Sequence, residues 1–487
     1  MSDSVGTRIA RTGEAVPSVA QGNPLVRGPW VGELRDAVAC YYGIRYARLS
    51  DAKRPRSKAT AASGQLDVAG LTDVPVFRQL PSRLEIVTGP AGRINPQDDE
   101  AFYLNVWAPE GAEGLPVLVF VHGGAWASGG GAMRWYRGER LACEGIVVVT
   151  VNYRLGPAGH LAPDDDADQD HRPFGDLLQA LRWVGQNVAE LGGDPDRVTL
   201  GGQSAGAWYA WALASLPEAR GLFRQAAILS IPQIKPWTPD HRVAFTNRVE
   251  AIRRESGAAP GSESLLRAAA QVLSETPRIA GAMPPMYLPM LSGEAAGILE
   301  SATSAAEHLH ADALYVRITR HEMSVFLPPL EPGSAAGDML MEALRARCRR
   351  EAVPHHPAPR HWDSRYAEAV ELSSWLEFGR FANEIATQAR KRGRPVISRE
   401  FDVEAGQPGF GAVHCIDLPF QFGNRADWDD APMLAGWQGG AFEEISRELR
   451  GDLADFVRGR HDSSHRVFSA ARHVTHPTDG NDETCAR

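Results

Sequence analysis

Two stretches in the middle of the chain restrict its architecture more than any other. Leu115-Pro116-Val117-Leu118-Val119-Phe120-Val121 and Gly145-Ile146-Val147-Val148-Val149-Thr150-Val151 are near-continuous apolar runs rich in β-branched residues. A strand with one face in water alternates apolar and polar residues. A run without alternation is covered on both faces, the condition of an interior strand in a parallel sheet. Between Gly175 and Leu191, residues Leu177, Leu178, Leu181, Val184, Val188 and Leu191 fall at helical spacing, and Gly192-Gly193 supplies the stop. A strand candidate follows at Arg197-Val198-Thr199-Leu200, then helix formers from Ala207 to Leu216, then a strand candidate from Phe223 to Leu229. Strands alternating with helices in this order predict a doubly wound α/β sheet.

The flanks read less regularly. Residues 1–29 look like an N-terminal arm and 475–487 like a disordered tail. Trp30 to Ala47 is β-like, Arg48 to Arg93 is loop-rich, and Ala101 to Trp107 alternates like a strand. Residues 232–310 and 327–390 carry mainly helical patterns broken by prolines. Strand candidates at Ala313–Thr319 and Pro395–Phe401 interrupt them. One domain over 30–474, a single sheet with helical insertions, accounts for this pattern better than separate domains.

A chain of 487 residues with 43% hydrophobic content can bury a large core. Its net charge of −9 and the lack of a Lys/Arg-rich block argue against nucleic acid as a partner. No run of about 18 apolar residues predicts a membrane span, and the first 25 residues show no secretory-type apolar region. Five scattered cysteines (Cys40, Cys143, Cys348, Cys415, Cys485) lack paired spacing. Reduced thiols and a cytoplasmic location are therefore the expectation.

The chemistry centres on Gly202-Gln203-Ser204-Ala205-Gly206, at the predicted strand-to-helix corner. Gly-x-Ser-x-Gly at such a corner is the nucleophile-elbow pattern. The two glycines let strand and helix approach, and the serine hydroxyl is exposed at a helix N-terminus. A serine nucleophile needs a base and an acid to orient it. In this arrangement both follow the serine, acid first and histidine second, each after a sheet strand. Glu322 follows the strand predicted at 313–319, and His414 follows the one at 395–401 within Gly411-Ala412-Val413-His414.

These and other motifs together resemble the type B carboxylesterases, the family of bacterial para-nitrobenzyl esterases, liver carboxylesterases and cholinesterases. The likeness runs from about Trp30 to Asn424. It is carried by Tyr42-Gly43-Ile44-Arg45-Tyr46-Ala47, Tyr103-Leu104-Asn105-Val106-Trp107, His122-Gly123-Gly124-Ala125-Trp126, Val151-Asn152-Tyr153-Arg154-Leu155-Gly156, Gly192-Gly193-Asp194-Pro195, and His414 to Gly423. The resemblance implies an α/β-hydrolase fold, a central mostly parallel twisted sheet flanked by helices, with the insertions forming a lid or gorge. It implies a cofactor-free hydrolysis of small-molecule esters in which Ser204 attacks, His414 is the base and Glu322 holds His414. The backbone amides of Gly124, Ala125 and Ala205 would form the oxyanion hole, Trp126, Gln203 and Trp237 would line the substrate pocket, and Ser230 would support the acid.

Several positions depart from the family pattern. Gln203 stands where glutamate is common, which points away from cationic esters and toward neutral ones. Ile231 replaces the glycine that usually follows Ser230. Phe77 and Phe102 occupy the positions of an N-terminal disulfide. The acidic loop Asp164–Asp168 lacks the spacing of a calcium loop, and His308-x-His310 and His355-His356 lack a metal set, so no metal is expected. Carbamate or amide hydrolysis by the same triad, and a non-catalytic binding role, remain the alternatives; the oligomeric state is open.

Overall fold

A computed structural model of the chain describes residues 23–51, 56–90, 93–162, 171–257, 261–327, 330, 334–351, 353, 364–462 and 466–469. The strands in chain order are β1 (Asn23–Arg27), β2 (Trp30–Arg35), β3 (Val38–Leu49), β4 (Ala59–Gln65), β5 (Val76–Phe77), β6 (Gln97–Asp98), β7 (Tyr103–Pro109), β8 (Leu115–Val121), β9 (Val147–Val151), β10 (Gly193–Gln203), β11 (Gln225–Leu229), β12 (Ala313–Thr319), β13 (Val396–Asp402) and β14 (Arg466–Ser469). Among the described residues all but β5 and β6 join one sheet. Its order is β1-β2-β3-β7-β9-β8-β10-β11-β12-β13-β14, with β4 on β3. From β9 to β14 every pairing is parallel, while β1, β2, β3 and β7 pair antiparallel at the other end. The α/β-hydrolase architecture read from the sequence is the one observed.

The two apolar runs are the neighbouring strands β8 and β9, deep in the sheet; β9 is buried at every residue and β8 from Pro116 onward. Helices cover them. Arg172–Asn187 turns Leu177, Leu181 and Val184 inward, and Ala205–Leu213 is buried along its whole length. A wholly buried helix suits the alanine-rich sequence after Ser204, since small side chains let it sit close to the strands.

Register places the site. Gly202 of β10 is level with Val121 of β8, and Gln203 with Leu229 of β11. Three parallel strands thus end side by side, and the residues that follow them, His122, Ser204 and Ser230, emerge at one edge. The carboxyl edge of a parallel sheet is where ligands bind in open α/β folds.

The segment between β11 and β12 holds helices Pro239–Glu255 and Ser262–Glu275. The segment between β12 and β13 holds Ala335–Arg350, Arg365–Ser374 and Arg380–Lys391. A wide π-helical turn, Trp375–Gly379, joins the last two. Phe77 and Phe102 pack edge to face, with ring centroids 5.0 Å apart, so an aromatic contact stands where the family resemblance implies a cross-link.

Cys40, Cys348 and Cys415 are free, but Cys143 is disulfide-bonded, which corrects the expectation of reduced thiols throughout. A disulfide requires two Cα atoms within about 7 Å with their Cβ atoms turned toward each other, and sequence spacing reports neither. The acidic loop Asp164–Asp168, the pair His355-His356 and the tail 475–487 lie outside the described residues. Among the described residues no helix is long and apolar enough to cross a membrane.

Candidate active site

The corner after β10 is as tight as the two glycines suggest. A Cβ on Gly202 would run into the backbone of Gly206. One on Gly206 would lie 2.7 Å from the His122 carbonyl oxygen and closer still to that of Val121. Ser204 has φ 57° and ψ −119°, a strained conformation for a side chain with a Cβ, and its N–H donates to the Leu229 carbonyl at 2.8 Å. The strain places Ser204 at the N-terminus of helix Ala205–Leu213, where free N–H groups and the helix dipole favour negative charge.

His414 and Glu322 meet although 92 residues separate them. Nδ1 of His414 and a carboxylate oxygen of Glu322 share a short hydrogen bond, and both residues are buried. The other Glu322 oxygen accepts from the Thr319 N–H at 2.8 Å, at the end of β12. Burial opposes protonation of His414, while the Cys415 thiol and the Glu322 carboxylate favour it. The balance holds the imidazole well above the usual histidine range. Phe378 and Phe326 flank the ring at centroid distances of 5.2 and 5.8 Å. The π-helical turn carries Phe378; such turns insert an extra residue into a helix and re-aim its side chains. On its open side, Nε2 of His414 lies 3.2 Å from the Gln203 carboxamide nitrogen, which also donates to Cys415 Sγ at 3.4 Å. His414 thus faces the residue adjoining Ser204.

Beside the elbow runs the loop after β8. Gly124, Ala125 and Trp126 have φ of 117°, 52° and 58°, three successive residues in conformations that L side chains avoid. The Gly124 carbonyl accepts from the N–H groups of Ala127 and Ser128, both at 3.0 Å, which fixes the turn. No hydrogen bond uses the N–H of Gly124, Ala125 or Ala205 among the described residues. A Cβ on Gly123 would lie 3.1 Å from Ser204 Cβ, so this loop lies directly against the serine. His122 is buried beneath it, stacked on Tyr153 at 4.4 Å, and Tyr153 donates its hydroxyl to the His122 carbonyl at 2.9 Å.

A mostly apolar cleft opens beside these groups, lined by Gly124, Gln203, Cys415, Met133, Trp135 and Trp428 among others; Ser204 and His414 are not in its lining. Of the three residues expected in the pocket, only Gln203 lines this cleft. Trp126 is buried against Trp208, and Trp237 packs on Phe245 and His241. Ser230 sits at the right strand end with φ 51°, but its buried hydroxyl has no hydrogen-bond partner. Glu322 accepts from the backbone N–H of Thr319.

Sequence reasoning missed His321. Its N–H donates to the Ala412 carbonyl and its Nδ1 accepts from the Ala412 N–H, both at 2.9 Å, so it fastens the acid loop to the base loop. Arg317 was missed as well. Wholly buried, it donates to Asp417 at 2.8 and 3.0 Å and also reaches Gln421, tying β12 to the helix that follows His414. An arginine inside an otherwise apolar strand was the available signal, because a buried charge needs a partner. Among the described residues no group of three or more His, Cys, Asp or Glu is placed to hold a metal ion. His308 and His310 bond instead to the backbone carbonyls of Ser304 and Leu213.

The same architecture and sequence recur in known proteins. Residues 19–277 match the model of the carboxylesterase family. The chain is 34% identical to a probable N-octanoylanthranilate hydrolase of Rhodococcus erythropolis, over 84% of this chain and 86% of that one. It is 32% identical to a para-nitrobenzyl esterase of Bacillus subtilis (67% of this chain, 68% of that one), and 32% identical to a phenmedipham hydrolase of Pseudarthrobacter oxydans (74% of each). A para-nitrobenzyl esterase structure superposes with a TM-score of 0.71 at 25% identity, covering 93% of this chain and 96% of that one. The chain belongs to the carboxylesterase family. It is a carboxylic ester hydrolase.

Proposed function

We propose that the protein is a serine esterase acting on neutral carboxylic esters through an acyl-enzyme. Ser204 Oγ attacks the ester carbonyl as its proton passes to His414 Nε2, and Glu322 holds the imidazole by Nδ1 and offsets its positive charge. The tetrahedral oxyanion rests on the N–H groups of Gly124, Ala125 and Ala205; each such donor is worth about 10²–10³ in rate. The imidazolium returns its proton to the leaving alcohol, and water then repeats the sequence on the acyl-enzyme. The observation that carries this reading is the strained Ser204 on its elbow, with the Glu322–His414 pair facing the neighbouring residue across the sheet edge. An apolar cleft with the neutral Gln203 in its lining supports an uncharged substrate. Ser204→Ala is expected to abolish turnover of a short-chain p-nitrophenyl ester with the fold intact, and a fluorophosphonate to label Ser204 in the wild type. Turnover by the pure mutant would refute the assignment.

Amide hydrolysis by the same groups is the second reading, since one relative is named for an N-acylated anthranilate, an amide. Matched ester, carbamate and anilide substrates separate the two. A cytoplasmic setting belongs to the first reading; the free thiols support it, and the disulfide at Cys143 weighs against it.

A further inference from the structure

The base of a serine hydrolase must accept the serine proton at Nε2. In this structure that nitrogen is engaged by the Gln203 carboxamide at 3.2 Å, and among the described residues no hydrogen bond joins it to Ser204 Oγ. In the deprotonated ring, the form that acts as a base, Nδ1–H is turned to Glu322 and Nε2 carries the lone pair, so the amide N–H donates to it. Cys415 Sγ accepts from the same amide nitrogen at 3.4 Å. Cys415 itself has φ 75°, a conformation that glycine adopts without strain, and it lines the cleft together with Gln203. The carboxamide oxygen lies over Gly123, where no Cβ would fit.

We infer that Gln203 caps the catalytic base, and that a substrate entering the cleft displaces the carboxamide and releases Nε2 to Ser204. The inference rests on the serine-hydrolase reading. Gln203 is then a positioning residue that makes reactivity depend on occupancy of the cleft, and Cys415 is its second anchor. A small electrophile that does not fill the cleft reacts against the cap, whereas a substrate that fills it does not.

The test is the second-order rate at which a small alkyl fluorophosphonate labels Ser204 at one fixed pH. The Oγ–P bond forms, fluoride leaves, and the serine proton passes to Nε2. Gln203→Met keeps the shape and removes the donor, so labelling should speed up about 2- to 10-fold, the worth of one neutral hydrogen bond. Cys415→Gly should speed it by a smaller factor. A loss of mere structural support would slow both variants, so an unchanged or slower Gln203→Met overturns the inference. If that variant does not fold, an unchanged or slower Cys415→Gly overturns it. Failure of the wild type to label at all refutes the serine-hydrolase reading instead.

Discussion

Three buried histidines make the fold acid-sensitive by a calculable amount. His122, His160 and His171 are all buried and neutral. Burial lowers His122 to about 4 and His160 to about 3 from an ordinary 6.5, and it carries His171 well below that value. Neither Nε2 of His122 nor that of His160 has a hydrogen-bond partner, so no acceptor compensates a proton there. Below pH 6.5 the unfolded chain takes up these protons and the folded chain does not, so stability falls with falling pH. Each histidine contributes a slope of about half of 1.36 kcal/mol per pH unit at pH 6.5, approaching the full value near pH 5. From pH 6.5 to pH 5, His122 and His160 together remove about 3 kcal/mol, a large share of the roughly 5–15 kcal/mol that holds a typical domain folded. His414 acts in the opposite sense and a different window. Raised by Cys415 and Glu322 against the effect of burial, it adds stability that is complete well below pH 6.5 and lost as pH rises through its folded value. The assay is urea unfolding at a series of pH values from 7 to 5 for the wild type and for His160→Gln. The substitution lowers stability everywhere through lost packing, but only the proton term changes the slope, which should fall by about 1.36 kcal/mol per pH unit near pH 5. Parallel lines for the two proteins would refute the account.

Glu322→Gln is expected to lower kcat by about 10⁴-fold, as loss of the orienting carboxylate does in other triads. Its pH–rate profile should rise at lower pH than the wild type's, because the carboxylate that raises His414 is gone; a limb that stays in place would contradict the pairing. Phe77→Ala removes a buried ring that packs on Phe102, and should cost about 3–5 kcal/mol in urea unfolding. Arg317→Met strands a buried Asp417 and should cost about 3–5 kcal/mol, while Arg317→Met with Asp417→Leu should recover much of that loss.

The sheet was legible because its interior strands leave a mark on composition. β8 and β9 are apolar at almost every position, and the helix at Arg172–Asn187 repeats its apolar residues at 3.6-residue spacing. β4 left no such mark. Ala59-Thr60-Ala61-Ala62-Ser63-Gly64-Gln65 is a run of small residues on an edge strand, largely exposed, and it reads as loop. The convergence of Ser204, Glu322 and His414 was legible because strand order fixes which residues reach one edge. Its supports were not, because Thr319 acts through a backbone N–H that any residue would supply. Trp237 shows the same limit from the other side. The resemblance placed it in the substrate pocket, and the contact with Phe245 could be seen only in the fold.

What keeps the acid and base in place does not pass through the acid and base themselves. β12 and β13 bring Glu322 and His414 to the same edge, but each follows its strand on a loop, and a loop alone would let the imidazole drift. His321 removes that freedom with two bonds to Ala412, in register with a bridge between His321 and Val413. Arg317 does the same from beneath, fixing the helix that begins just after His414. The bond between Glu322 and His414 lies between two further fastenings, His321 on Ala412 and Arg317 on Asp417. Residues with no chemistry of their own thus carry the cost of ordering the loops, roughly 1–2 kcal/mol for each residue fixed, so that substrate binding need not.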